Sequence, residues 1–202
     1  MPTQTFPNVQ PSSVSWDLID NSRQFASPHT GAVQVEQRGG QRLMATLDFA
    51  NKADADRRAL IGFLALVTAN ADPFNLPAFG MYYAGAGGGT PRGMGGSQTG
   101  TSLETDGWPN STVVMRAGDP FDVNGELKIC AADVTSNGSG QATVEFFPEL
   151  RSAPADNALL DLTDPSGVFR IPAGPRSFSL SPRSADDAFA SMTIVCVEDV
   201  LA

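Results

Sequence analysis

The sequence predicts a mainly β protein with a single helix. Three observations predict it. Short stretches of alternating apolar and polar residues recur along the chain, with turn dipeptides between them. One stretch only carries apolar residues at helical spacing. The 202 residues include 20 Gly and 15 Pro, a density of punctuation that suits many short strands better than long helices.

The first thirty residues read as an extended arm. Phe6 and Val9 lie among Pro7 and Pro11, and Val14, Trp16 and Leu18 then alternate with Ser15 and Asp17 in the manner of a half-buried strand. Arg23 to Pro28 continue the extended pattern up to Thr30–Gly31. Ala32 to Glu36 and Leu43 to Phe49 alternate again. Gly39–Gly40 between them predict a hairpin turn, because glycine accepts the positive φ angles of tight turns.

The helix is expected at about residues 53–69. Asn51 or Asp54 can cap it, Asp54 and Asp56 place negative charge at its N-terminal end, and Leu60, Ile61, Leu64 and Val67 share one face with Phe63 beside them. Arg57 and Arg58 are expected to face solvent or a partner, and Asn70 and Pro73 stop the helix. Phe74, Leu76 and Phe79 then form a short strand which its prolines place near an edge.

Between Tyr83 and Gly96 seven residues are glycine and few are large and apolar. Such a segment buries too little to fold alone and reads as a flexible loop or linker. It lacks the Gly-Lys-Ser/Thr ending of a phosphate loop. From Gln98 to Leu162 the chain is a run of short strands: Ser102–Leu103, Ser111–Arg116, Pro120–Val123, Glu126–Val134, Gln141–Phe147 and Leu159–Leu162. Their regular spacing suggests a small barrel or sandwich, and Asn124–Gly125 is the clearest hairpin turn in the chain. Val168–Ile171, Arg176–Leu180 and Ala190–Val197 follow as strands, and Met192–Val197 is apolar enough to be buried on both sides.

Composition excludes several classes of function. The net charge is −9, from 22 acidic and 13 basic residues, with lysine only at Lys52 and Lys128, so no basic stripe exists to follow a phosphate backbone. The first residues show neither a cationic region nor an apolar one of the secretory kind, and Ala59–Ala69 is too short to span a bilayer. Synthesis in the cytoplasm is therefore expected, with no membrane insertion. Cys130 and Cys196 sit in apolar strand-like stretches and are expected to be buried thiols.

Little in the chain points to catalysis. His29, the single histidine, lies in a loop context with no nucleophile or acid near it in sequence. One His and two distant Cys do not make a zinc site. The pairs Asp186–Asp187 and Glu198–Asp199 are adjacent residues, which face opposite ways on a strand, and Asp54/Asp56 already serve the helix. Asp133 with Asn137 and Gly138 departs from calcium-loop spacing. We expect no enzyme activity, no cofactor and no metal.

The segment from Ser15 to Asn51, with its aromatic arm, its Ser-Pro-His-Thr-Gly step and the "RRALIGFLALV" helix after it, resembles the start of small bacteriophage tail proteins. The stretch from Gly100 to Ile171 resembles the second half of the same proteins, with its "GW" turn, its "AGDPFDVNGELK" strand pair and its "PELRSAPADNA" segment in order. The order of motifs carries the likeness, since each alone is ordinary turn chemistry. The family is that of distal tail or minor tail structural proteins.

The resemblance implies a split β-barrel with one flanking α-helix plus an inserted or second small antiparallel β-domain. Residues 1–82 with 168–202 would form the barrel, 83–97 a Gly-rich linker or loop, and 98–167 the inserted β-domain. It further implies a structural subunit of the virion tail, assembled in the host bacterial cytoplasm. Such a subunit forms a ring with copies of itself around the DNA channel and joins neighbouring tail tube and tail-tip or hub proteins, while DNA passes without specific binding. The interface candidates are Phe6, Val9, Trp16, Phe25, Tyr82, Tyr83 and Trp108. The alternative is a carbohydrate- or receptor-binding module of the tail tip, with Trp108, Tyr82 and Tyr83 as stacking platforms.

Overall fold

A computed structural model of the chain describes residues 4–175, 177–180 and 190–200. Arg176, at the start of one expected strand, and the Asp186–Asp187 pair lie outside the described residues. Among the described residues the protein is mainly β with one helix. In chain order the elements are β1 (Gln4–Thr5), β2 (Ser13–Ile19), β3 (Arg23–Ala26), β4 (Val33–Glu36), β5 (Arg42–Phe49), α1 (Asp54–Asn70), β6 (Phe74–Pro77), β7 (Arg92–Gly93), β8 (Gly100–Asp106), β9 (Val113–Met115), β10 (Pro120–Val123), β11 (Glu126–Cys130), β12 (Val134–Thr135), β13 (Ala142–Leu150), β14 (Leu160–Asp161), β15 (Ser166–Arg170), β16 (Phe178–Leu180) and β17 (Ala190–Glu198).

The first sheet runs β1-β6-β15-β17-β5-β2, with β16 also on β17. Its neighbours are antiparallel except β1 and β6. The sheet curls. Trp16 on the edge strand β2 donates its indole N–H to the carbonyl of Phe79, just past β6, at 2.9 Å, and its ring meets Phe169 of β15 edge-on at 6.0 Å. On β5 the expected alternation holds, with Leu43, Ala45, Leu47 and Phe49 buried. On β17 it corrects the expectation of burial on both sides. Met192, Ile194 and Cys196 are buried, while Thr193 and Val195 are exposed, because the core lies against one face of the sheet only.

Helix α1 closes that core with Leu60, Phe63, Leu64 and Val67. Phe6, Phe63 and Phe74 form an aromatic knot, with ring pairs 5.0 Å and 5.1 Å apart. The cap differs from expectation. Ala53 is the N-cap and offers no side-chain bond, because Asp54 is already inside the helix and pairs with Arg57 and with Arg58, the latter at 2.7 Å. Both arginines thus turn back along their own helix. Ala71, at φ 53°, ends it in the left-handed conformation.

The second sheet runs β14-β10-β11-β13-β8-β7, all antiparallel. Its ends meet. Arg92 bridges Leu159, Leu160 N–H donates to the Pro91 carbonyl at 3.0 Å, and Gly93 N–H donates to the Ala158 carbonyl at 2.9 Å. The six strands make a nearly closed barrel around Leu103, Trp108, Val114, Phe121, Val123, Val144 and Phe146, with β9 and β12 paired beside it. Asn124 at φ 56° and Gly125 at φ 75° form the tight turn between β10 and β11 where the sequence places it.

The two cores adjoin. Leu127 of β11 belongs to the first core, Ile129 and Phe147 pack against it, and a Cβ on Gly167 would fall 2.8 Å from that of Leu127. Buried charges lie beside the junction, and one set crosses it. The fully buried Lys128 ammonium sits 2.8 Å from Glu126 and donates to the Glu149 carbonyl at 2.9 Å. Arg151 pairs with Glu198 and donates to the Asp199 carbonyl at 3.2 Å.

Candidate assembly surface

Gly39–Gly40 is not the hairpin turn that the sequence predicts. Strand β4 pairs with β3, with Arg23 opposite Glu36 and Ala26 opposite Val33, while β5 pairs with β2 and β17. The turn lies at the other end of β4, where Ser27 N–H donates to Ala32 O at 2.8 Å and Gly31 N–H to Ser27 O at 2.9 Å. Two alternating runs flanking a Gly pair look alike whether the glycines turn the chain or break one leg of a longer hairpin. Here they break it.

The product is a two-stranded ribbon that belongs to neither large sheet. All eight residues of β3 and β4 are exposed. Cross-strand partners share a face, so Gln24 and Ala26 lie with Val35 and Val33 on one side, and Arg23 and Phe25 with Glu36 and Gln34 on the other. Phe25, Val33 and Val35 are each more than half exposed. Arg23 lies 5.9 Å from the Phe25 ring centre, and Arg38 pairs with Glu36 at 3.1 Å. His29 is exposed at the tip.

The residues singled out in the sequence divide sharply. Phe25 and Tyr82 are exposed, Tyr82 at 83%. Trp16 and Tyr83 are half-buried. Phe6 and Val9 lie in the first core and Trp108 in the second, its indole N–H donating to Thr105 Oγ1 at 2.8 Å. These three are covered by their own chain, so they offer no contact surface on this fold. The arm around Phe6 folds onto β6 of the same chain instead of reaching outward.

The Gly-rich segment also departs from a free linker. Asp119 is buried and accepts the backbone N–H of Ala84 (2.8 Å), Gly85 (3.0 Å) and Arg116 (2.9 Å). Ala86 N–H donates to Val113 O, Thr90 N–H to Gly107 O, and the segment ends in β7 of the barrel. The sequence shows Asp119 only as part of a Gly-Asp turn, and nothing in its neighbourhood signals this distant partner.

Beside that segment lies an open cleft of about 730 Å³, walled by Gly85–Gly89 and Leu159–Thr163 with Tyr83 and Asp122 facing in. Burial raises the Asp122 carboxyl to about 6, against the bond it accepts from Ser166 N–H, and Asp161 and Asp164 add to the rise. Burial likewise pushes Tyr83 up to about 12. Cys130 and Cys196 are free and buried, and burial lifts the Cys196 thiol to about 12, so neither is a poised nucleophile. Among the described residues no group of three or more His, Cys, Asp or Glu side chains is placed to hold a metal, and no helix is long and apolar enough to cross a membrane. No family model matches the chain, and no curated protein matches it.

Proposed function

We propose that the protein is a non-enzymatic structural subunit of a phage tail, a distal-tail or tail-tip ring protein that oligomerises around the DNA channel. One observation carries the architectural half of this reading. The β3–β4 ribbon exposes apolar side chains on both faces and, among the described residues, has no third strand. A lone hairpin is marginal in water, and exposed apolar groups concentrated on a projecting element mark a contact surface. A neighbouring copy or a tail-tube or tip protein supplies the missing cover. The tail assignment rests on the motif order from Ser15 to Ile171. The acidic balance of −9 suits a channel wall that repels DNA, and we assign part of the carboxylates to that lumen.

Light scattering on the intact chain over a wide concentration range tests this. Oligomers are expected, and Phe25→Asp with Val35→Asp should shift the mass toward the monomer without lowering the melting temperature. A chain that stays monomeric at every concentration and binds no tail protein ends the proposal. The open cleft with Tyr83 and the exposed Tyr82 nearby in sequence favour a second reading, a carbohydrate- or receptor-binding module at the tail tip. Glycan-array binding that disappears on filling the cleft would support it.

A further inference from the structure

We propose that the ribbon is a hinged arm and that Glu149, on the barrel of the second sheet, latches its pose. The inference rests on reading the ribbon as an assembly element. Its physical basis is a defect in a long hairpin. Strands β2 and β5 stay paired to Ile19 opposite Arg42, and β3 and β4 resume with Arg23 opposite Glu36. Residues 20–22 on one leg therefore face residues 37–41 on the other, and the ladder is interrupted between them.

Gly39 and Gly40 sit in the longer leg, Gly40 at φ 89°. Two side chains hold the glycines at the break, beside a side-chain contact of Asp20 with Gln41 across it. Asn21 Nδ2 donates to Gly40 O at 3.0 Å and to Gly39 O at 3.4 Å, from the other leg of the same hairpin. Glu149 Oε1, on β13 of the barrel, accepts from Gly40 N–H at 3.2 Å. A Cβ on Gly39 would lie 2.9 Å from that oxygen, so the carboxylate fits against the glycine itself.

The latch is rooted at one end and loose at the other. The Glu149 carbonyl is held by the buried Lys128 ammonium, so its backbone moves with the barrel. An open cleft of about 550 Å³, lined by Gly40, Gln41, Glu149 and Arg151, lies beside the break and gives the arm room to swing. Elements with few buried contacts and a small-residue break are where local motion is cheapest. A hydrogen bond to a carboxylate across such a break selects one pose. Glu149 is thus a positioning residue, through which a load on the barrel reaches the arm.

Double electron–electron resonance tests this on the full chain. Spin labels go at the ribbon tip (His29→Cys) and on the exposed β8 surface (Ser102→Cys), the two native thiols being buried. Labelled chain is diluted into unlabelled chain so that distances within one subunit are read. The parent should give one narrow distance distribution, Glu149→Gln, which keeps the acceptor oxygen, should match it, and Glu149→Ala should shift and widen it at an unchanged melting temperature. Gly39→Ala, which crowds the same carboxylate from the arm side, should act like Glu149→Ala and carries the test should the latter unfold. A narrow parent-like distribution in both variants overturns the latch. The mass of the same samples reads assembly separately. A monomer with a widened distance supports the latch and ends the ring reading, whereas an oligomer with an unchanged distance ends the latch alone.

Discussion

Trp16 donates its indole N–H to the carbonyl of Phe79 at 2.9 Å, joining the edge strand β2 to the chain just beyond β6 on the far side of the same sheet. Three strands, β15, β17 and β5, separate β6 from β2 in the order of that sheet, so the bond exists only because the sheet curls. Trp16→Phe keeps the ring against Phe169 and removes the donor. The expected loss is about 1 kcal/mol, the net worth of one partly buried hydrogen bond, read by urea unfolding.

Gly85 and Gly89 permit a close approach that no other residue allows. A Cβ at Gly85 would lie 2.1 Å from Val114 O, and at Gly89 2.0 Å from Gly107 O. Backbone cannot yield as a flexible side chain can. Gly85→Ala and Gly89→Ala should each cost about 1–3 kcal/mol or more, whereas Gly95→Ala, with open space around it but φ 83°, should cost less. Thermal melts of the three variants rank them.

Asp119 holds the start of the same segment through three backbone N–H groups. Asp119→Ala leaves these three part-buried N–H groups without their acceptor. A loss of about 2–3 kcal/mol is expected, with faster amide exchange at Ala84 and Gly85 than in the parent.

Lys128 and Glu126 form a buried pair. Burial opposes ionisation of both. For Glu126 the Lys128 ammonium and the amides of Arg151 and Ser152 outweigh it and hold the carboxyl below its ordinary range, while the Lys128 ammonium is lowered. Lys128→Met alone leaves the buried Glu126 carboxylate without its cation, held only by Arg151 and Ser152, and should cost about 3 kcal/mol, with much of this recovered when Glu126→Gln is added. Glu126 contributes stability above the ordinary carboxylate pKa, lost as pH falls through its lower folded value. Urea titrations at several pH values should show acid weakening that Glu126→Gln lessens.

Asp122 has the opposite sign. Its carboxyl is raised to about 6 by burial, so the folded state binds its proton more tightly than the unfolded chain. It therefore weakens the fold increasingly as pH rises from the ordinary carboxylate value to about 6, and constantly above that. Asp122→Asn keeps an acceptor for Ser166 N–H and should stabilise the protein at pH 7, with the gain gone near pH 3. Equal melting temperatures of the two proteins at pH 7 would contradict this.

Much of the local structure was legible in the residues. The alternation of Leu43, Ala45, Leu47 and Phe49 marks the buried face of β5, the Leu60–Val67 spacing marks the helix, and Asn124–Gly125 marks a turn that needs two positive φ angles. The candidate surface was half legible. Phe25 stood out as an aromatic in an extended arm, but Val33 and Val35 read as ordinary members of a strand. Phe6, Val9 and Trp108 looked like anchors for a partner and turned out to anchor this chain's own cores.

The sequence by itself determined the alternating faces of β5 and of the helix and the Asn124–Gly125 turn, since these follow from local periodicity and backbone conformational limits. Tertiary structure alone decided which faces meet: that Asp119 holds the glycine segment from 34 and 35 residues away, that Arg92 meets Leu159 to close the barrel, and that Gly39–Gly40 break a leg instead of turning it. Period-2 alternation is the same whichever strand lies beside it, so pairing across long separations leaves no trace in the local pattern.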